Sequence, residues 1–551
     1  MSLSELLSYF RPPTAAEAFI RQIDQEIATL DDAARVLKLK RNTAVPISRL
    51  PPELLSWVFI CLRDEYIFPK TRIEPKWICV SHVCSRWRST ALACPRLWNV
   101  IDTEFGAMWV QEMIHRSGGT PLSFSGKMSW GNTLSVQSLL KDHVGRLRAV
   151  SLVSSSDSHP AQLADFLASI SQASVPHLES LGITFDFPKT LPGMPLLSTQ
   201  GQTGLFLRSL ELRDCILAWD KLVPMPTLTS LTISFCVDFE QPSIDEVTAA
   251  LRGMPLLREL ELEKALLEMD DDHVAPRRNV HLPCLASLSI LKSGVRECSA
   301  LLGYLTLLPT TCLKLECCLS STADHDALQL LPTFTYFAGL IRDKHKEEHV
   351  KYGPISEMTC RCERDSIALR LSGWRDTMLE LQLMFMENDG RIDVSSDSLT
   401  LLSVFSLTDL ESLDISNLPE DFAGDDWFRP FAWSPSLHEI HVTGDHAARV
   451  AIRSLLFQKD GDGDNDGAGL SANTKPAVSF SYPSLWCLQF SGCSGYSYFG
   501  DFFEDLHNAV LKRSQKRLYI DLLLLDSSQL LSETQVEALE ELIGEVIADT
   551  L

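Results

Sequence analysis

Apolar residues alternate three and four positions apart between about residues 18 and 40. The series is Ile20, Ile23, Ile27, Leu30, Ala34 and Leu37. This spacing is the a/d pattern of a coiled coil, so it predicts a helix with one apolar seam. Fewer than three full heptads are present, and two interpretations stay open. The helix either associates with another copy of itself or packs against the following domain, and we place this segment at residues 1–44.

The next segment, residues 45–102, is short and dense in large apolar residues. The run Leu50-Pro51-Pro52-Glu53 starts a helix, because proline is tolerated in the first turn and the acidic side chain of Glu53 complements the helix dipole there. The expected apolar face of this helix is Leu54, Leu55, Val58, Phe59 and Leu62.

A second helical pattern follows in the same segment and ends before Pro95. Its apolar positions are Trp77, Val80, Val83, Cys84, Trp87, Ala91 and Leu92. A unit this small carries more large apolar side chains than it can bury by itself. We therefore expect part of its surface to face a partner.

From about Leu147 to Phe490 the chain repeats a short unit: leucine, two variable residues, an apolar residue, one variable residue and another apolar residue. Clear copies are Leu147/Val150/Leu152, Leu178/Leu181/Ile183, Leu207/Leu210/Leu212, Leu228/Leu231/Ile233, Leu257/Leu260/Leu262, Leu285/Leu288/Ile290, Leu410/Leu413/Ile415, Leu437/Ile440/Val442 and Leu485/Leu488/Phe490. Most neighbouring copies start roughly 20 to 31 residues apart, close to the roughly 20–29 of leucine-rich repeats. A period-2 run after a turn is typical of a short strand, so the repeats predict strands stacked in a curved solenoid over residues 103–531. The expected fold class is α/β.

Two stretches interrupt the repeats, and a third pattern follows them. Residues 342–364 are charged and residues 459–475 are rich in Gly, Asp, Asn and Ser, so both are expected to be insertions. Over residues 532–551, Ser532 and Gln535 have capping-box spacing and begin an amphipathic pattern. It predicts a C-terminal helix that covers the last repeat with Val536, Leu539, Leu542, Ile543, Val546 and Ile547.

Charge narrows the range of partners. The 551-residue chain has 49 Lys and Arg residues against 72 Asp and Glu residues, and its formal net charge is -23. A chain this acidic repels a phosphate backbone unless it carries a dense basic patch, and the short run from Lys38 to Arg41 is not one. We expect no nucleic acid among its partners.

The sequence also bears on the compartment. The 15 cysteines are scattered, and their number is odd. Residues 1–10 lack the basic and apolar regions of a secretory leader, and no apolar run approaches the roughly 18 residues that would span a bilayer. The expectation is a chain with reduced thiols and no membrane partner, located in the cytoplasm, the nucleus or both.

Three motifs in residues 45–102 together resemble the F-box, in the form common in mushroom-type fungi. They are Leu50-Pro51-Pro52-Glu53-Leu54-Leu55, Val83-Cys84-Ser85-Arg86-Trp87-Arg88 and Pro95-Arg96-Leu97-Trp98. In that form a short coiled coil often precedes the box, and leucine-rich repeats are frequent downstream of it. The resemblance covers about a tenth of the chain.

The resemblance implies a three-helix unit that docks on a Skp-type adaptor and, through it, on a cullin–RING ubiquitin ligase. The residues expected to bind the adaptor are Leu50, Pro51, Leu54, Leu55, Val58, Phe59, Val83 and Trp87. The long spacer from Arg63 to Lys76 departs from the family pattern and would loosen the docking of the first helix.

The expected function is that of a non-enzymatic substrate receptor. The box would bind the adaptor, the repeats would hold a target protein, and other subunits would transfer ubiquitin to it. The alternative is a leucine-rich-repeat scaffold that acts only through protein–protein contacts.

In either case residues that alternate with the buried leucines would line the inner surface of the solenoid. The expected target-binding residues are Glu211, Arg213, Thr232, Glu261, Glu263, Asp414, His441 and Gln489, and their acidic centre favours a basic target.

Two candidate metal sites fit their ion poorly. Asp462, Asp464 and Asp466 match the opening of a calcium loop, but its twelfth position is Asn473 instead of a bidentate glutamate. Four other residues could supply ligands to zinc, with a C-x-C spacing tighter than the usual two-residue gap. They are His345, His349, Cys360 and Cys362. The expectation is no metal and no other cofactor.

No catalytic residues are expected either. The pair Gly126-Lys127 lacks the upstream glycine and the following hydroxyl of a phosphate-binding loop. Ser494 has Tyr496 two residues later, where a nucleophile elbow needs glycine. The chain is therefore not expected to be an enzyme.

Overall fold

A computed structural model gives the fold of the chain. The structure describes residues 15–67, 75–128, 142–154, 177–190, 206–216, 224–236, 241–267, 279–319, 326–344, 355–363, 366–373, 377–385, 394–418, 427–459, 479–493, 502–525 and 531–548. Two compact units are present: an N-terminal unit of residues 1–153 with 173–178, and a C-terminal unit of residues 154–172 with 179–551. The first unit thus continues beyond residue 102, where the sequence pattern predicts a boundary.

The N-terminal unit is mostly helical. Its helices are α1 (Ala15–Thr43), α2 (Pro52–Ile67), α3 (Ser85–Leu92) and α4 (Ala107–Arg116). Its strands are β1 (Val100–Asp102), β2 (Leu122–Met128) and β3 (Leu147–Ser154). The helix predicted from the coiled-coil spacing is confirmed as α1, and α2 starts at Pro52, within the run that was predicted to start it. No helix in the described ranges is long and apolar enough to cross a membrane.

The second helical pattern of residues 45–102 is divided in two. The sequence predicts one helix from Trp77 to Leu92, whereas the structure has a 3-10 turn over Pro75–His82 and then α3. Between them Cys84 is extended, with φ -159° and ψ 170°, and a helix cannot pass through that conformation. Residues 52–92 therefore contain three helical segments: α2, the 3-10 helix and α3.

The C-terminal unit alternates strands with helices. Its strands are β4 (Ser180–Thr190), β5 (Ser209–Ile216), β6 (Ser230–Ser234), β7 (Glu259–Glu263), β8 (Val280–His281), β9 (Ser287–Gly294), β10 (Leu305–Thr306), β11 (Cys312–Leu319), β12 (Ile355–Glu363), β13 (Ser366–Gly373), β14 (Thr377–Phe385), β15 (Ser412–Ser416), β16 (Glu439–Thr443), β17 (Gln458–Lys459), β18 (Ser479–Phe480), β19 (Cys487–Ser491), β20 (Leu522–Leu525) and β21 (Glu545–Ala548). Its helices are α5 (Ile244–Leu251), α6 (Val295–Tyr304), α7 (Leu331–Lys344), α8 (Val394–Leu402), α9 (Asp445–Ser454), α10 (Phe502–Ser514) and α11 (Glu533–Glu540). The fold is mixed α/β, as predicted, with one large and mostly parallel sheet.

Neighbouring strands pair so that the leucines of the repeated unit stand opposite one another. Leu210 on β5 is paired with Leu231, which is paired with Leu260, which is paired with Leu288 on β9. All four are buried, and the residue after each of them is only partly buried. This alternation confirms the predicted inward and outward positions, because successive side chains of a strand point to opposite faces.

One set of three strands reverses the order of the sheet. The order in the C-terminal unit is β4, β5, β6, β7, β9, β11, β14, β13, β12, β15, β16, β19, β20 and β21. β13 is antiparallel to both of its neighbours, whereas β11 with β14 and β12 with β15 are parallel pairs. After β11 the chain therefore first forms β12, the strand of this set farthest from β11. It then forms β13 and finally β14, which lies beside β11.

β12 contradicts the insertion predicted at residues 342–364. It is an interior strand of the sheet, because β13 and β15 pair with it on its two sides. Met358, Cys360 and Cys362 are buried at every second position, and the residues between them are not. Sequence reasoning missed this strand because methionine and cysteine supply its apolar positions within a charged stretch.

The C-terminal segment also differs from the prediction. The predicted capping box is present, but α11 ends at Glu540 and is followed by β21. Val546 and Ile547 therefore lie on a strand paired with β20 and not on the expected helix. The reason lies partly at Gly544, where a Cβ atom would come within 2.8 Å of the backbone oxygen of Asp521. Glycine permits the close approach that brings the chain beside β20.

Candidate functional site

Helix α2 has one face in the core of the N-terminal unit and another at its surface. Leu55 and Phe59 are 0% and 1% exposed, whereas Leu54 and Val58 are 51% and 45% exposed. Trp57 is also 51% exposed. Because positions 54, 57 and 58 are three and four residues apart, they form one continuous stripe on the helix.

Two of the predicted adaptor-binding residues are therefore wrong as surface anchors. Leu55 and Phe59 belong to the core of the unit, and the ring of Phe59 lies 5.1 Å from that of Trp87. The sequence pattern merged two stripes into one face, because apolar residues occupy both sides of α2. Sequence reasoning missed Trp57, although its spacing of three from Leu54 was an available signal.

The other predicted adaptor-binding residues lie nearer the surface. Pro51 is exposed, Leu50 and Trp87 are partly buried, and Val83 is 57% exposed. The guanidinium group of Arg86 donates hydrogen bonds to two backbone carbonyl oxygens just before α2, one of them that of Leu50. Arg86 of the second motif thus holds the start of the helix that the first motif opens.

We define the apolar patch as Leu54, Trp57 and Val58. The guanidinium carbon of Arg96 lies 4.9 Å from the centre of the Trp57 ring, so a cation covers one side of this indole. A large aromatic side chain among exposed aliphatic ones is typical of the energetically important centre of a protein–protein interface. The patch can therefore bind an apolar surface of another protein.

A buried arginine fixes α2 to the turn that carries Arg96. Arg63 Nη1 donates hydrogen bonds to the carbonyl oxygens of Arg96 and Leu97, at 2.5 and 3.2 Å, and to Asn99 Oδ1 at 3.0 Å. Its Nε and Nη2 donate to Asp64 Oδ1 at 2.9 and 2.7 Å. The buried charge is thus paired and hydrogen-bonded, as such charges must be. These bonds hold α2 and its exposed stripe in place.

The core behind α2 is aromatic and closed. Trp77 and Trp98 are fully buried, with ring centres 5.4 Å apart. Trp98 Nε1 donates a hydrogen bond of 2.8 Å to the carbonyl oxygen of Ala91. Arg116 covers Trp98, with its guanidinium carbon 4.4 Å from the ring centre. The apolar patch is therefore additional to this core and does not complete it.

The second candidate surface lies on the sheet of the C-terminal unit. A continuous row of paired residues crosses the sheet from β5 to β19, and none of its members is buried. We call it the polar row: Glu211, Thr232, Glu261, Ser289, Lys314, Glu380, Arg370, Thr359, Asp414, His441 and Gln489. The pairing therefore brings six of the eight predicted target-binding residues onto one line.

The other two predicted target-binding residues, Arg213 and Glu263, lie on the next row of the same face. Arg213 Nε is 2.6 Å from Glu211 Oε1, and its Nη1 is 3.9 Å from Glu263 Oε2. Lys292 Nζ lies 2.6 Å from Glu263 Oε1, and Ser234 Oγ donates a hydrogen bond of 2.8 Å to Glu263 Oε2. These contacts form an ionic network across β5, β6, β7 and β9.

The network shifts the pKa values of its members. The hydrogen bond from Lys292 is the main cause that lowers the pKa of Glu263, against the opposing effect of burial. The hydrogen bond to Glu211 is the main cause that raises the pKa of Arg213. The chain's own cations thus compensate much of the acidic centre, which weakens the sequence-based case for a basic target.

Farther along the polar row, charges of opposite sign are also neighbours. Lys314 Nζ is 3.9 Å from Glu380 Oε1, and Arg370 Nη2 is 3.7 Å from Glu380 Oε2. These distances allow attraction through partly exposed side chains that a bound molecule could still reach.

The structure describes only part of the candidate metal sites. Cys360 and Cys362 lie on the buried side of β12, where burial raises the pKa of the Cys360 thiol. The described residues do not include the other metal-site positions, which are His345, His349, Asp462, Asp464, Asp466 and Asn473. Nor do they include Ser494 and Tyr496, the pair compared with a nucleophile elbow. Within the described ranges, no group of three or more His, Cys, Asp and Glu side chains is placed to hold a metal ion.

No protein-family model matches the chain, and no curated protein matches it in sequence. The apolar patch and the polar row are therefore the features on which a function can rest.

Proposed function

We propose that the chain is a substrate-recognition subunit of a Skp–cullin–F-box type ubiquitin ligase. The apolar patch would bind the Skp-type adaptor, the polar row would bind a target protein, and other subunits would transfer ubiquitin. The observation that carries the proposal is the exposure of Leu54, Trp57 and Val58, which are 51%, 51% and 45% exposed above a closed core. An apolar stripe of this kind on a small domain is typical of a surface that binds another protein.

The roles of the motif residues support the proposal. Leu55, Leu97 and Trp98 are fully buried, and Arg86 holds the turn that precedes α2. Residues that resemble the F-box motifs thus build the small domain. Leu54, the apolar motif residue exposed on α2, is available for recognition of an adaptor.

The in-register strands of the C-terminal unit support the second half of the proposal. We take them to be a leucine-rich-repeat solenoid whose curvature places the polar row on its inner surface, where solenoids bind their partners. The row carries both acidic and basic side chains, so it suits a polar target of mixed charge.

Capture of a purified Skp-type adaptor by the full chain tests the proposal. The double variant Leu54→Asp, Val58→Asp should raise the dissociation constant by about 100-fold or more, because it places charges in the centre of an apolar interface. The melting temperature should change little, since both side chains are about half exposed in the free chain. The matched control is Met108→Asp on α4, where the side chain is 82% exposed outside the apolar patch. This control should bind the adaptor normally.

Two outcomes would contradict the proposal. Undiminished capture by the double variant would show that the apolar patch is not the adaptor site. A chain that binds no Skp-type adaptor at all would leave the alternative, a leucine-rich-repeat scaffold that acts only through protein–protein contacts.

A further inference from the structure

Helix α1 carries an exposed apolar seam. Ile20, Ile27, Leu30 and Leu37 are 56%, 52%, 70% and 67% exposed, and Ile23 is 37% exposed. Of the two interpretations that the sequence leaves open, packing of the seam against the following domain does not agree with these exposures. A 29-residue helix gains most of its stability from burying its apolar stripe, so the seam calls for a partner.

Charge is separated along the same helix. Up to Asp32 the helix is acidic, and Arg21 is its one basic residue there. The acidic residues are Glu17, Asp24, Glu26, Asp31 and Asp32. After Asp32 every charged residue of the helix is basic: Arg35, Lys38, Lys40 and Arg41. The two halves of α1 therefore have opposite charge.

We infer that α1 pairs with α1 of a second copy of this chain, in antiparallel orientation. Antiparallel pairing places the basic end of each helix beside the acidic start of the other, so that Glu17 lies near Lys38 and Lys40 of the second copy, and it opposes the two helix dipoles. Parallel pairing would place like charges side by side, with Glu26 at a g position next to Asp31 at an e position of the second copy. The Glu17–Lys38 contacts at the two ends therefore favour a second copy in the antiparallel orientation, while Asp24 and Asp31 of the two copies oppose it near the middle.

The seam closes well in this orientation. A register that sets Ile20 opposite Leu37 of the second copy also sets every other seam position opposite a seam position, because the heptad spacing reads the same in both directions. In this register the small Ala34 meets Ile23. In a parallel pair Ala34 would meet Ala34 and leave a void between the helices.

The oligomeric state of the full chain tests the inference. The unmodified chain should sediment as a dimer at high concentration and dissociate on dilution. Leu37→Asp should raise the dissociation constant of the dimer by about 100-fold or more, because it places a carboxylate in the seam. The matched control is Leu39→Asp, which changes a leucine that is 49% exposed on the same helix but lies outside the seam. The control has the same helix propensity as the test variant and should remain dimeric.

Introduced cysteines distinguish the two orientations, since α1 contains no native cysteine. Chains with Ile20→Cys, mixed with chains with Leu37→Cys, should form a disulfide between these two positions, identified by mass spectrometry of the linked peptides. Chains with Ile20→Cys alone should form no disulfide with one another at that position.

Three results would overturn the inference. A disulfide between two copies of the Ile20→Cys chain would show parallel pairing. A dimer that survives Leu37→Asp would place the interface elsewhere. A chain that stays monomeric at the highest soluble concentration would assign the seam to a different protein. None of these measurements involves the adaptor, so the inference and the proposed function fail independently.

Discussion

The apolar patch lies on a helix and the polar row lies on strands. Helices and strands distribute apolar residues differently. A helix with 3.6 residues per turn has room for two apolar stripes, and α2 carries one in the core and one outside. A strand has only two faces, so once the leucines of β7 are buried the other face must stay polar for the unit to remain soluble.

Because of this difference, the two surfaces are not equally strong evidence for binding. Polar residues on the outer face of a strand are needed for solubility whether or not they bind anything. The exposed stripe of α2 costs solubility and adds nothing to the closed core behind it, so a partner explains it best. If the comparison holds, substitutions at buried positions should lower the free energy of unfolding far more than substitutions at the neighbouring exposed positions.

The largest expected effect concerns two neighbours on α2. Phe59→Ala should lower the free energy of unfolding by about 3–5 kcal/mol, because it leaves a cavity beside Trp87. Val58→Ala, one residue earlier, should lower it by about 0.5 kcal/mol or less, since that side chain is 45% exposed. Denaturant unfolding of the two variants measures the difference. Equal losses would mean that Val58 belongs to the core and that the apolar patch is misplaced.

A second pair of neighbours makes the same test on β7. Leu260→Ala should cost about 2–5 kcal/mol, because Leu260 is 1% exposed and packs in line with the leucines of β6 and β9. Glu261→Ala should cost about 0.5 kcal/mol or less, since it lies on the polar row. Hydrogen exchange on the Leu260→Ala chain should show the first loss of protection in β6 and β9. Loss of protection that begins equally in α2 would contradict a locally organised sheet.

Much of the fold could be predicted because the repeats use leucine in a strict period of two. Leu210, Leu231, Leu260 and Leu288 are buried in register for that reason. β12 could not be predicted in the same way, because its inward residues are methionine and cysteine. The reversed order of β12, β13 and β14 depends on long-range pairing that no local pattern encodes.

Less of the candidate site could be predicted. Spacing identified the apolar residues of α2, but only packing separates Leu54, which is exposed, from Leu55, which is buried. Spacing also identified the outward residues of the strands. The ionic network could not be predicted. Lys292, which pairs with Glu263, follows the last aligned strand position and has the left-handed φ of 50°, which the local pattern does not indicate.

The smallest expected effect concerns that pair and depends on pH. The pKa of Glu263 is lowered in the folded chain, chiefly by the hydrogen bond from Lys292. A lowered pKa means that the folded state favours the carboxylate more than the unfolded state does. The resulting stabilisation is present above the ordinary pKa of glutamate and is lost as the pH falls through the folded value.

Lys292→Met removes this contact but keeps a side chain on the same left-handed backbone, so strain is not relieved. At neutral pH it should lower the free energy of unfolding by about 0.2–1 kcal/mol, the usual range for exposed ion pairs. The difference from the unmodified chain should shrink toward zero as the pH falls below the ordinary pKa of glutamate, and also at high salt, because both remove the attraction. The control is the same substitution in a Glu263→Gln background, where the difference should not depend on pH. Denaturant unfolding at several pH values measures all four chains. A loss on Lys292→Met that stays constant in acid would assign the stabilisation to packing of the lysine stem and not to its charge.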